Sequence, residues 1–157
     1  MEPRRRLRTR SVLAGFAAGA TLAASAPPAA AQQVTEQQSL AFGRIAEGQT
    51  SGTVTVTPTG TASCGPHTCL GGQSGARFQV IGLSLQSYGI SYSTGNTLNR
   101  TGGGSLPLQN FKDDKNGTLT LNLLGAGTVR VGADLSLSPT APSGNYSGTY
   151  TIIFNLQ

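Results

Sequence analysis

The last fourteen residues of the chain, 144–157, constrain the fold most, because they alternate apolar and polar side chains with a period of two. One parity is nearly all apolar and carries Tyr146, Tyr150, Ile152, Phe154 and Leu156. Successive side chains of a β-strand point to opposite faces, so this segment predicts one strand with an apolar face. That face has to be buried in the chain's own sheet or against a partner.

The same alternation recurs in shorter segments along the whole chain. A first strand with a bend at Gly43 is predicted around Leu40 and Phe42, and a second strand over Thr53–Thr57. Further apolar positions with this period are Phe78, Val80, Tyr88, Ile90, Tyr92, Leu106, Leu108, Leu119, Leu121, Leu123, Val129, Val131, Leu135 and Leu137. Residues 32–38 and the glycine-, serine- and threonine-rich residues 61–75 are expected to be loose or loop-like.

Turn residues separate these segments from one another. Asn116-Gly117 is the strongest hairpin signal, because a type I′ turn needs positive φ at both central positions. No stretch keeps a helical period, which leaves an all-β chain of about eight or nine strands. The pattern predicts a single β-sandwich domain over residues 32–157.

The first 31 residues have the composition of a secretory signal peptide. Five arginines up to Arg10 form a charged head, and a short apolar run over 12–26 is followed by three alanines at 29–31. This order predicts export and removal of residues 1–31. The apolar run is short for a membrane span, so no integral membrane segment is expected after processing. The arginine pairs leave both the general secretory route and the twin-arginine route open.

Removing the leader changes what the net charge implies. The leader holds five of the eleven Lys and Arg and one of the six Asp and Glu, so the mature chain has six basic and five acidic residues. A net charge of +1 gives no reason to expect a basic surface for nucleic acid or anionic membrane. No nucleic-acid partner is therefore expected.

Cys64 and Cys69 bracket four residues that include a Gly-Pro pair and His67. In an exported chain this pair predicts a disulfide. Closing so short a loop contributes roughly 2 kcal/mol at most, so the bridge is expected to stiffen one loop rather than hold the fold. As an alternative, Cys64, His67 and Cys69 could bind a metal, but they supply three ligands where a structural zinc site needs four.

Residues suited to catalysis are scarce. His67 is the single histidine and is expected to be a solvated loop residue, and no nucleophile elbow surrounds any serine. Asp113 and Asp114 lie in the sequence FKDDKNG, where acidic turn residues are ordinary, although a calcium site with Asn116 is an alternative. No enzymatic activity and no cofactor are expected.

Five motifs occur in order along the chain: LAFGRI at 40–45, GTVTVTPTG at 52–60, RFQVIG at 77–82, VGADLSL at 131–137 and GNYSGTYTIIFNL at 144–156. In these motifs the chain resembles a secreted bacterial family called domain of unknown function 4402, which is pilin-like. The resemblance implies an immunoglobulin-like sandwich with a fimbrial or surface-structural role, and it carries no catalytic residues. The end of the chain is also similar to pilins of the chaperone–usher route: Gly144 fits their glycine, whereas Leu156 stands where they have an aromatic residue.

The expected function is that of an exported, non-enzymatic structural subunit of the bacterial surface, located in the periplasm, at the cell surface or outside the cell. Its expected partners are other surface or fimbrial subunits or a periplasmic chaperone. The alternative is a self-contained secreted module that binds carbohydrate or protein, for which an exposed pair, Tyr88 and Tyr92, could stack on a sugar; burial of this pair in the core is the favoured interpretation. The terminal strand, Thr149–Leu156, is expected to complete its own sandwich, because residues 32–38 look too short and too polar to fill a neighbour's groove.

Overall fold

The computed structural model describes residues 32–157, and the predicted signal peptide, residues 1–31, lies outside the described residues. Over the described range the secondary structure consists of β-strands joined by turns and loops. The strands are β1 Gln33–Gln38, β2 Ala41–Phe42, β3 Ile45–Ala46, β4 Gly52–Val56, β5 Ala62–Ser63, β6 Thr68–Cys69, β7 Gln73–Ser74, β8 Ala76–Ile81, β9 Ser87–Tyr92, β10 Thr97–Arg100, β11 Ser105–Asp113, β12 Thr118–Thr120, β13 Ala126–Leu137, β14 Tyr146–Ser147 and β15 Ile152–Leu156. This part of the chain contains no helix of the length and apolarity needed to span a membrane.

The strands form a large and a small antiparallel sheet. Six strands of the large sheet follow the order β1-β8-β13-β11-β10-β14, while β4 also pairs with β13, and β5 pairs with β4. The small sheet has the order β12-β9-β15, and two short ribbons, β2-β7 and β3-β6, lie beside these sheets. The predicted all-β sandwich is confirmed. Part of the excess over the expected eight or nine strands comes from residues 61–75, which were predicted as a loop and contribute the short strands β5, β6 and β7.

Strand β13 is the central strand of the large sheet and has neighbours along both of its edges. Its first half pairs with β8 and its second half with β4 along the same edge, while β11 runs along the other edge. Gly132 lies where the neighbour changes, and a side chain there would collide with the backbone of Val56 and Thr57. The inward positions Val129, Val131, Ala133, Leu135 and Leu137 are all buried, so two predicted apolar segments belong to one strand.

Strand β1 corrects the expectation that residues 32–38 are loose. It pairs antiparallel with β8 from Gln33 to Gln38, although all six of its side chains are exposed. A strand with no buried side chain leaves no apolar alternation in the sequence, and its backbone hydrogen bonds to β8 define it instead.

The terminal segment forms two strands rather than one. Strand β14 pairs with β10 in the large sheet, and β15 pairs with β9 in the small sheet. The chain changes sheets after Gly148, where a Cβ would collide with the carbonyl oxygen of Thr97. The single predicted strand is therefore wrong, whereas the expected pairing of the terminal strand within its own chain is confirmed for Ile152–Leu156.

The turn at Asn116-Gly117 has the predicted backbone conformation, with φ of 54° and 81°. It does not close a hairpin, however, because β11 lies in the large sheet and β12 pairs with β9 in the small sheet. The turn carries the chain from one layer of the sandwich to the other. After it, Leu119 and Leu121 are buried as predicted, whereas Leu123, three residues beyond the end of β12, is exposed.

Candidate functional site

A groove of about 600 Å³ lies over the second half of β13 and is named the apolar groove after its floor, although its exposed lining is about as polar as it is apolar. Its floor is formed by four buried leucines, Leu106 and Leu108 of β11 and Leu135 and Leu137 of β13. The small sheet packs over the first half of β13, around Val129 and Val131. Over the floor leucines, the large sheet is covered instead by two wall segments, residues 40–47 and 142–150, and the groove lies between them.

The first wall, residues 40–47, is held by the cysteine loop. The predicted disulfide between Cys64 and Cys69 is confirmed, with the two Cα atoms 5.9 Å apart. Next to it, Leu70 N donates to Arg44 O at 2.8 Å and Arg44 N donates to Gly71 O at 2.9 Å. Gly43, with φ of 64°, lets the wall bend toward this loop. The disulfide therefore stiffens the loop that positions one wall of the groove.

His67 belongs to the same support and is not the solvated residue that the sequence predicted. It is buried, and its Nδ1 accepts a hydrogen bond from Gly48 N at 2.9 Å, while its Nε2 is buried without a hydrogen-bond partner. The disulfide joins Cys64 and Cys69, whose sulfur atoms were two of the three ligands of the alternative metal site. Within residues 32–157, no group of three or more His, Cys, Asp or Glu is placed to hold a metal ion.

The second wall, residues 142–150, is held by one hydrogen bond within the segment and by another from Arg100 of β10. Tyr146 Oη donates to Pro142 O at 2.6 Å, and Arg100 Nη1 donates to Ser143 O at 3.2 Å. Gly144 has φ of 154°, and a Cβ there would lie 2.5 Å from Arg100 Cδ. The glycine that the sequence analysis marked by resemblance thus has a local role, since it lets the wall pass close to Arg100.

Tyr150 also lines the groove. Its ring lies 5.1 Å from the ring of Phe111, which in turn stacks on Tyr92 at 5.2 Å. The Tyr150 hydroxyl oxygen is buried without a hydrogen-bond partner, and burial, with a smaller contribution from Glu36, raises the pKa of Tyr150 to about 12.

Phe111 is a groove-supporting residue that the sequence analysis missed. The inward parity of β11 runs through Leu106 and Leu108 and would continue to Asn110. A β-bulge with Asn110 at φ of 52° shifts the register and turns Phe111 inward instead. The asparagine itself was the available signal, because asparagine tolerates positive φ better than most residues.

The other candidate residues have structural surroundings. Tyr88 is buried and Tyr92 is half-buried, which confirms the core interpretation over an exposed sugar-stacking pair. Burial, followed by a hydrogen bond to Asp113, raises the pKa of Tyr92. The other carboxylate oxygen of Asp113 accepts from Lys115 N and Gly117 N, both at 2.9 Å, and Asp114 accepts from Arg130 N at 2.8 Å. The two acidic side chains thus serve the turn itself.

Of the terminal residues, Tyr146, Tyr150, Ile152 and Phe154 are half-buried and pack against the core clusters. Of the six terminal residues predicted for the core or for assembly, Gly144, Tyr146 and Tyr150 line the groove. Leu156 does not join the core as its parity predicted, since 61% of it is exposed at the end of β15. The alternation therefore indicates the inner face of β15 correctly as far as Phe154, but not at Leu156.

Fold and site together define an all-β, two-layer sandwich domain with an apolar groove between two looped walls. The chain belongs to the family described as Domain of unknown function (DUF4402), whose profile matches residues 33–155. This match confirms the resemblance that the five sequence motifs carry, over almost all of the described domain. The chain matches no curated protein and no solved structure.

Proposed function

We propose that this chain is an exported, non-enzymatic structural subunit of a bacterial surface assembly, pilin-like in its architecture. The observation that carries the proposal is the apolar groove, in which buried leucines of a sheet are covered by loop walls instead of by a second sheet. A groove of this size over an apolar floor is a common form of binding site. The leader-like composition of residues 1–31 supports export.

The surroundings of the groove suit a polypeptide partner. Both walls are supported by backbone hydrogen bonds or backbone acceptors, and of the lining residues only the exposed Glu47 is charged. The terminal strand β15 already pairs with β9, so assembly leaves the subunit's own strands in place. Other copies of the chain, other surface subunits or a periplasmic chaperone are the partners that fit this proposal.

A second candidate function is a secreted binding module for carbohydrate or protein. The specific observation in its favour is the groove's volume of about 600 Å³. Small-molecule sites are commonly apolar clefts of roughly 300–1,000 Å³ with a few polar groups. A module of this kind would be a monomer that retains its ligand.

The test is to express the full chain with its own leader in a bacterium with an outer membrane. We expect intact-mass analysis of the exported product to give a chain that begins at or near Gln32. We also expect electron microscopy and native mass spectrometry of the surface fraction to detect linear multimers or a complex with a chaperone. A soluble monomer that copurifies with a ligand would favour the second candidate, and a retained leader would refute processing at this site.

A further inference from the structure

Four of the six basic residues of the mature chain lie together on the outer face of the large sheet. Arg77 of β8 and Arg130 of β13 are directly opposite each other, and Arg130 lies between two buried valines, so this pair points away from the core. Lys112 of β11 is opposite Gly132, two residues further along β13, and shares this face. Lys115 follows in the turn after β11. We call Arg77, Lys112, Lys115 and Arg130 the cationic face, and all four residues are exposed.

The carboxylates near the cationic face leave most of its charge uncompensated. Asp114 Oδ1 accepts from Arg130 N at 2.8 Å, and its Oδ2 lies 3.6 Å from Lys115 Nζ. Asp134, further along the outer face, accepts from the side chains of Thr55 at 2.6 Å and Asn110 at 2.9 Å. Within residues 32–157, the three members of the cationic face other than Lys115 form no ion pair. Four cations therefore share one carboxylate that is already engaged.

The pairing of Arg77 with Arg130 is unfavourable unless an anion lies across it. Directly opposite side chains on adjacent antiparallel strands have Cβ atoms about 5 Å apart, and like charges there repel each other. This spacing is shorter than the Debye length of about 10 Å at 0.1 M salt, so both charges attract the same anion. The arginine guanidinium also has the fork of donors that matches a carboxylate or a phosphate. An anion bound between the two arginines would remove their repulsion.

The side chains around the arginine pair indicate which kind of polyanion fits. Gln79 and Thr128 form the next outward pair on β8 and β13, and Gln37 Nε2 of β1 donates to Gln79 Oε1 at 2.9 Å. None of these residues is aromatic or apolar, so the face lacks the platforms that stack single-stranded bases and the apolar anchors that enter a bilayer. Duplex DNA is commonly held by about six to ten phosphate contacts, more than four cations supply. Amide and hydroxyl groups beside the cations suit the hydroxyls of a sugar.

We propose that the cationic face binds an acidic polysaccharide, whose carboxylates lie across β8, β13 and β11. This inference rests on the proposed export to the cell surface, but it does not use the groove. The groove lies over the inner face of the second half of β13, whereas Arg130 is on the outer face of the first half, so one molecule can use both surfaces. The net charge of +1 gave no reason to expect a basic surface, because a total does not report how charges are distributed.

The experiment measures the binding of the exported, processed protein to a fluorescein-labelled alginate oligosaccharide by fluorescence anisotropy. Alginate is a polyuronate, and a labelled dextran of the same length is its uncharged control. Arg130→Gln and Lys112→Gln each remove one charge from the cationic face. Arg44→Gln is the matched control, because Arg44 is exposed, lies outside the cationic face, and gives the same change in net charge.

We expect the wild type and Arg44→Gln to bind alginate alike and to leave dextran unbound. Arg130→Gln should bind alginate at least about tenfold more weakly, as expected for the loss of a charge-assisted hydrogen bond, and Lys112→Gln should also weaken binding. Raising the salt from about 0.01 M to about 0.15 M should weaken the wild type, because the Debye length falls from about 30 Å to about 8 Å. Thermal melts should show no loss of stability in Arg130→Gln, since the substitution removes a repulsion.

Other outcomes overturn the proposal in distinguishable ways. No binding of alginate at about 0.01 M salt would refute it, and equal weakening by Arg44→Gln would mean that net charge alone attracts the polymer. Tighter binding to phosphatidylglycerol vesicles or to a DNA duplex, lost in Arg130→Gln, would assign the cationic face to that polyanion instead. None of these results concerns assembly of the chain, which electron microscopy of the surface fraction reads separately. Failure of this inference therefore leaves the proposed structural role standing.

Discussion

Leu121→Ala should be among the most costly single truncations in the domain, while Leu123→Ala should cost almost nothing. Leu121 is 1% exposed and belongs to the core cluster with Val80, Tyr88 and Leu119. Two glycines make room for its methyl groups: a Cβ on Gly82 would lie 3.1 Å from Cδ1, and one on Gly127 would lie 2.9 Å from Cδ2. Because these contacts are to backbone, the site cannot collapse easily around a cavity.

The expected loss in the free energy of unfolding for Leu121→Ala is about 3–5 kcal/mol, the upper part of the range for buried leucines. On the size scaling for a domain of this length, the melting temperature should fall by about 10–20 °C. Leu123 lies on the same sequence parity but is 77% exposed, so its truncation should change stability by less than about 0.5 kcal/mol.

Urea unfolding of the exported protein, followed by far-ultraviolet circular dichroism, measures both variants with the slope of the transition as a check on two-state behaviour. The protein should be kept dilute so that association of copies does not contribute to the measured stability. Equal losses for the two variants, or a loss below about 1 kcal/mol for Leu121→Ala, would refute the packing described for this end of the sandwich.

Three further predictions test other parts of the domain. Replacing Cys64 and Cys69 together with serine should lower the melting temperature by about 10 °C or less, because the bridge closes a short loop; complete loss of folding in a thermal melt would contradict this. Tyr92 and Tyr150 have higher pKa values in the folded state than the ordinary tyrosine value of 10. Their contribution to stability is therefore complete below pH 10 and is lost as the pH rises further, because the unfolded chain loses these protons more readily than the folded chain. Denaturant titrations across that range should therefore show a shallower alkaline decline for the Tyr92→Phe, Tyr150→Phe double variant, and an unchanged decline would argue against it. Phe154→Asp should lower the free energy of unfolding by about 3 kcal/mol or more, as measured in urea.

The alternation of apolar residues predicted correctly which face of a strand is buried, but it did not predict which strands are neighbours in a sheet. Val54 and Val56 of β4 are buried as the sequence indicates, and so are the inward residues of β13. A period of two reports which side of a sheet a residue occupies, but it carries no information on which strand lies beside it. The sheet change after Gly148 and the layer change at Asn116-Gly117 were therefore outside the reach of the pattern.

The groove itself could not be predicted from the sequence, because it depends on which part of a sheet is left without a covering strand. Its floor leucines have the same alternation as Val129 and Val131, which lie under the small sheet. Its walls depend on close approaches, such as that of Gly144 to Arg100, which join residues far apart in the sequence. His67 illustrates the same limit, since only the fold brings Gly48 within hydrogen-bond distance of its ring.

At the end of the chain the alternation of apolar and polar residues no longer predicts burial. Substitutions of Phe154 and Leu156 test this directly. Both residues lie on the inner parity of β15 and pair across to β9, at Ile90 and Tyr88. Phe154 packs against the clusters around Val80 and Val129, so Phe154→Asp removes aromatic packing and places a carboxylate where it loses water. Leu156→Asp puts the same charge at a position that is 61% exposed, and it should cost less than about 0.5 kcal/mol. If both substitutions unfolded the domain, the terminal strand would be buried to its end. If neither did, β15 would contribute little to the sandwich, and the groove would extend into the space that the strand now fills.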